Sequence, residues 1–133
     1  MNRRRMTDTI IKIAHRGNWK GRVLSRENSH NYIREAVELG YHVEVDVWFV
    51  SGSLYLGHDK PQYPIEVSFL ENPKFFCHAK NIEALHFMLE NPKVHCFWHQ
   101  NDEVALTSNG FIWKYPEVYF DGKLWGICSD WLL

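Results

Sequence analysis

Residues 41–59 read YHVEVDVWFVSGSLYLGHD, and this stretch decides the fold expectation. Through Val50 the residues alternate strictly: Val43, Val45, Val47 and Phe49 fall on one face, and His42, Glu44, Asp46 and Trp48 on the other. A strand so patterned buries an apolar wall and carries two carboxylates on its opposite side. Ser51-Gly52-Ser53 is a reversal signal, and Leu54 to Gly57 run back towards His58-Asp59. A hairpin closed at Gly52 would set His58 beside Asp46.

Upstream, TIIKIA at 9–14 reads as a strand apolar on both faces, the mark of a strand covered on each side, and it ends in His15-Arg16-Gly17. After a polar loop, Asn28 or Ser29 caps a helix with Ile33, Ala36 and Val37 on one side and Gly40 as its stop. Downstream, KFFCHAK at 74–80 is a third strand with Phe76, His78 and Lys80 on one face, and Asn81 caps a helix running to about Asn91-Pro92. Residues 94–98 (VHCFW) form a fourth strand. Residues 104–115 read as two strands joined at Asn109-Gly110, and 124–132 as a short apolar strand. Strand alternating with helix predicts an α/β fold with a mostly parallel sheet, whose chemistry gathers at the carboxyl ends of the strands.

Composition bounds the functions available. With 133 residues and 45% hydrophobic content the chain reads as one domain, residues 1–8 forming a solvated arm with the basic run Arg3-Arg4-Arg5. A complete (β/α)₈ barrel needs roughly 200 residues or more, so only an abbreviated one is expected. A formal charge of −1 gives no field for nucleic acid, and no stretch serves as a signal h-region, a transmembrane span or an amphipathic membrane anchor. Cys77, Cys96 and Cys128 lack zinc-site spacing and read as reduced thiols of a cytoplasmic protein.

The strand ends collect His15-Arg16, Glu44/Asp46, His78/Lys80 and, at the fourth strand, Trp98/His99, with His58 brought beside Asp46 by the hairpin. Two carboxylates side by side on a buried face are costly without a cation, so a divalent metal is expected between them. Arg16 and Lys80 can neutralise phosphate oxygens, and two histidines can trade protons, which suits phosphodiester cleavage. Trp98, Trp113 and Tyr115 either line a pocket or fill the core, while His86 and His95 read as structural.

In this order the motifs resemble the glycerophosphodiester phosphodiesterase family: I-A-H-R-G at 13–17, E-N at 27–28, V-E-V-D-V at 43–47, L-G-H-D at 56–59, H-A-K at 78–80 and I-C-S-D at 127–130. The resemblance implies an abbreviated TIM-barrel-like phosphodiesterase fold and hydrolysis of a glycerophosphodiester or a similar small phosphodiester. It implies that His15 and His58 are the acid/base pair, that Arg16 and Lys80 face the phosphate, and that Glu27 orients Arg16. Glu44 and Asp46 would hold Mg²⁺ or Ca²⁺. His78 stands where the family has a glutamate ligand, and imidazole there shifts the preference towards Mn²⁺ or another transition metal. A non-catalytic phosphate-binding module derived from such enzymes, or a relative acting on phospholipids, are the other readings. Missing βα units would leave open strand edges, to be covered by the Asn109-Gly110 hairpin and last strand or by a homodimer.

Overall fold

A computed structural model describes residues 10–132, and side chains for residues 10–130. The basic arm at 1–8 and the start of the first strand at Thr9 lie outside the described residues. The first half alternates strand and helix as the pattern dictates: β1 (Ile11–His15), α1 (His30–Glu38), β2 (His42–Val50), β3 (Ser53–Leu56), β4 (Tyr63–Ile65), α2 (Val67–Leu70), β5 (Phe75–Ala79), α3 (Ile82–Leu89) and β6 (Cys96–Trp98). Ser29 caps α1 by accepting a bond from the Tyr32 amide, and Asn81 caps α3 through the Ala84 amide. The second half contains only strands: β7 (Ala105–Leu106), β8 (Phe111–Lys114), β9 (Glu117–Phe120) and β10 (Lys123–Cys128), followed by a 3₁₀ turn over Ser129–Leu132.

The expected mostly parallel α/β barrel is therefore corrected. The molecule is mostly β, a ten-stranded mixed and curled sheet, and not a TIM barrel even in shortened form. Pairing is parallel along β10-β1-β2-β5-β6 and antiparallel along β2-β3-β4 and β10-β9-β8-β7. The physical reason lies in the turns. Asp121 (φ 53°) and Gly122 (φ 78°) form a tight reversal with two left-handed residues, which returns the chain directly against its neighbour. A parallel connection would have needed a helical crossover of a dozen residues or more. The expected last strand, residues 124–132, is likewise shorter, since the extended backbone ends at Cys128.

The curled sheet meets itself. Ser108, just after β7, donates its amide to the Cys96 carbonyl of β6 at 2.8 Å, and its hydroxyl accepts the Cys96 amide at 2.9 Å. The edges of β6 and β7 are thus covered within the chain, by the hairpin built on Asn109-Gly110, while β10 covers β1.

One edge of β2 is shared. Its Glu44 carbonyl accepts from the Arg16 amide just past β1, and its Asp46 carbonyl accepts from the Gly57 amide just past β3. Two chain segments therefore arrive end to end along the same strand, one bringing His15-Arg16 and the other His58.

The alternation of β2 sorts two cores. Val43, Val45 and Val47 pack outward with Ile33, Ala36, Ala84 and Met88 of the helices. Inside the curl, Ile13, Phe76, Phe97, Trp113, Val118 and Cys128 form an aromatic-rich plug, each buried side chain of this size contributing about 1.5–3 kcal/mol. Glu44 and Asp46 share that inner side, in register with Phe76 and His78.

Candidate functional site

Arg16 opens the site, and its backbone is strained. Its φ of 60° is left-handed, a conformation costing a non-glycine residue about 1–2 kcal/mol. Two bonds hold it there: the Arg16 amide donates to the Glu44 carbonyl at 2.8 Å, and the Arg16 carbonyl accepts the Asn28 amide at 2.9 Å. The loop bearing Glu27 and Asn28 is thereby strapped over the end of β1. Glu27 accepts from Arg16 Nη1 at 3.3 Å and from Asn18 Nδ2 at 2.8 Å, so it fixes the guanidinium from the loop side.

Asn28 then grips Asp46. Its Nδ2 donates to Asp46 Oδ2 at 2.9 Å, and its Oδ1 accepts the Asp46 amide at the same distance. Glu44 and Asp46 are fully buried. Burial opposes the charge on Asp46, but the adjacent His78 ring, the bond from Asn28 and the nearby Arg16 hold its carboxyl well below the ordinary carboxylate range.

His78 completes a triangle. Its Nε2 bonds to the His99 carbonyl at 2.8 Å, an acceptor, so this nitrogen carries the proton. Its Nδ1 then faces Glu44 Oε2 at 3.3 Å and Asp46 Oδ1 at 3.2 Å. Burial favours the neutral ring, yet the two carboxylates raise the His78 pKa to about 9. Only Glu44 is aligned for a hydrogen bond, and Asp46 Oδ1 is left as a buried acceptor without one.

That orphaned oxygen tests the fit of a cation. One donor atom from each of Glu44, Asp46 and His78 lies within 4.8 Å of the others. The His99 carbonyl fixes the tautomer that turns a lone pair of Nδ1 towards the carboxylates when the ring is neutral, the arrangement found around metal-bound histidines. Two oxygens and one nitrogen are a donor set of the kind that suits Mn²⁺ or a similar divalent ion.

A cavity of about 370 Å³ opens above this triangle, lined among others by His15, Arg16, Glu44, His58, His78 and Lys80. The residues singled out in the sequence thus converge on one space, except Asp46, which lies beneath it, and Glu27, which lies behind Arg16. Lys80 makes no salt bridge among the described residues. His58 sits at the rim, its Nδ1 held 2.7 Å from Asp59 Oδ1. The hairpin sets the Gly57 amide on the Asp46 carbonyl, placing His58 one residue past the expected pairing.

Other residues at the site carry no role in the sequence reading. Asp130 accepts from His15 Nδ1 at 3.1 Å and from the Tyr115 hydroxyl at 3.1 Å, forming a chain that ends in the cavity wall. Its signal was the I-C-S-D motif, to which no role was attached. Asn28 likewise belonged to a quoted motif. Arg22 carries no motif; Trp113 and Tyr115, which the sequence leaves between pocket wall and core, line the cavity, whereas Trp98 packs against the outer core.

In comparisons with known proteins, no family model, no curated protein and no solved structure matches the chain. Among the described residues, no helix is long and apolar enough to cross a membrane.

Proposed function

We propose that the protein is a metal-dependent phosphodiester hydrolase acting on a glycerophosphodiester or a similar small phosphodiester. The observation that carries this reading is the convergence of His15, His58, Arg16 and Lys80 on one cavity that lies over the carboxylate–imidazole triangle. The motif order quoted above supports the same reading. Glu44, Asp46 and His78 would hold a divalent cation, which supplies charge to polarise a phosphoryl oxygen.

Arg16, whose Nη1 is committed to Glu27 and whose Nε is buried 3.5 Å from Asp46 Oδ2, presents Nη2 to the phosphate, and Lys80 neutralises a second oxygen. His15, with Asp130 on Nδ1, accepts at Nε2 the proton of a substrate hydroxyl next to the phosphate as that oxygen attacks phosphorus. His58, with Asp59 on Nδ1, donates its proton to the departing alcohol. Water then opens the cyclic diester with the two histidines in reversed roles. The three free, buried cysteines suit a reducing cytoplasm, which we include in the proposal.

The test is alcohol release from glycerophosphoethanolamine and glycerophosphoglycerol with Mn²⁺, Mg²⁺ or Ca²⁺. Turnover that His15→Ala and His58→Ala each abolish is expected. A folded protein that turns over neither diester with any of these ions overturns the reading.

A further inference from the structure

A second cavity of about 430 Å³ adjoins the first, and the two share Arg16, Arg22 and His58 in their walls. Its other lining residues include Lys60, Glu27, Asp59 and Gln62. Its charges are not balanced locally. Glu27 is spent on Arg16 and Asn18, and Asp59 is spent on His58. Among the described residues, neither Arg22 nor Lys60 forms a salt bridge or a side-chain hydrogen bond. Two exposed cations on flexible stems therefore face a space continuous with the phosphate site, unpaired among the described residues.

We infer that this second cavity is a subsite for a second anionic group of the substrate, a carboxylate or phosphate carried on one of the two alcohols of the diester. The inference rests on the phosphodiester reading of the first cavity and narrows its substrate class. A diester seated on Arg16 and Lys80 has one alcohol directed towards Trp113 and Tyr115 and the other past Arg22, which with Arg16 and His58 lines both cavities. An anionic substituent on the latter reaches Arg22 and Lys60. Arg22 is suited to grip it in a two-pronged way, and Lys60 adds a point charge. Cationic or neutral substituents gain nothing there.

The experiment uses a matched pair, glycerophosphoserine and glycerophosphoethanolamine, which differ by one carboxylate. Their affinities for His15→Ala protein, which prevents turnover, are measured by calorimetric titration with Mn²⁺ present. The serine diester is expected to bind about fivefold to tenfold more tightly, as two partly exposed charge contacts allow. That ratio should shrink with added salt and fall to about one in the variant also carrying Arg22→Gln and Lys60→Gln. Because the readout is a ratio, changes common to both ligands cancel. Equal affinities, a preference surviving the double substitution, or binding of neither diester overturns the subsite. Turnover of both diesters by the unsubstituted protein without discrimination sinks the subsite alone. A preference in binding without turnover sinks the hydrolase reading and keeps the subsite.

Discussion

His15 Nδ1 lies 3.1 Å from Asp130 Oδ2, although 115 positions separate the two residues. Asp130 is itself buried, and Tyr115 occupies its other oxygen. An amide in its place removes the charge that steadies a protonated His15 and leaves one acceptor oxygen for two partners, so the tautomer of His15 is no longer fixed. Asp130→Asn is expected to lower kcat about 10²-fold with KM within about twofold, the scale of one acid/base contribution. Steady-state kinetics on glycerophosphoethanolamine check it, and an unchanged kcat would remove Asp130 from the proton path.

Asn28 touches no cavity, yet it holds Asp46 by two bonds. Partners of this kind orient ligands, and losing one typically weakens metal binding about 10- to 100-fold. Asn28→Ala should therefore reduce Mn²⁺ affinity by that factor in a titration. Asp46→Asn should abolish binding at the same concentrations.

Gly57 has no room for a side chain. A β-carbon there would sit 2.0 Å from the Lys60 carbonyl oxygen, and its φ of 156° is one that other residues rarely adopt. Gly57→Ala is expected to destabilise the fold by about 1–3 kcal/mol, or to displace His58 and lose activity. Urea unfolding and the kinetic assay measure the two outcomes; a variant unaltered in both would contradict the packing described.

His95 is buried between Phe76 and Phe111, with Nε2 at 2.6 Å from the Thr107 hydroxyl. Burial, with a smaller effect of His42, lowers its pKa to about 4 from an ordinary 6.5. The unfolded chain thus takes up a proton that the folded chain refuses between those values. Stability present above pH 6.5 should decline on acidification and level off near pH 4. Thermal unfolding of wild type and His95→Gln across pH 4–7 would reveal it, with the variant falling less steeply.

The parts legible in the sequence were local. Alternation in β2, the caps Ser29 and Asn81, and the reversals at Ser51-Gly52 and Asn109-Gly110 each stand in a few consecutive residues. The Asp121-Gly122 reversal was equally local and was passed over, which cost β9 and with it the mixed character of the sheet. That the Asn109-Gly110 hairpin and last strand could close the edges followed from chain length, but the particular partners, β1 with β10 and Ser108 with Cys96, were not legible, since nothing near either encodes the other. The same division runs through the site. His15, Arg16, Glu44, Asp46, His58, His78 and Lys80 stood out by residue type and position at strand ends. Asp130, Tyr115 and Arg22 acquire their places only from long-range closure.

The parallel pairing of β1 with β10 also sets the order of events in folding. His15 leaves a ribosome 115 residues ahead of Asp130, so the site cannot be assembled until β10 and the turn after it have emerged. Contacts this distant in sequence carry a high closure entropy and slow the final step. Recovery of enzymatic activity after dilution from denaturant should accordingly trail the recovery of helix signal from α1 and α3, making catalysis a clock for the last strand to dock.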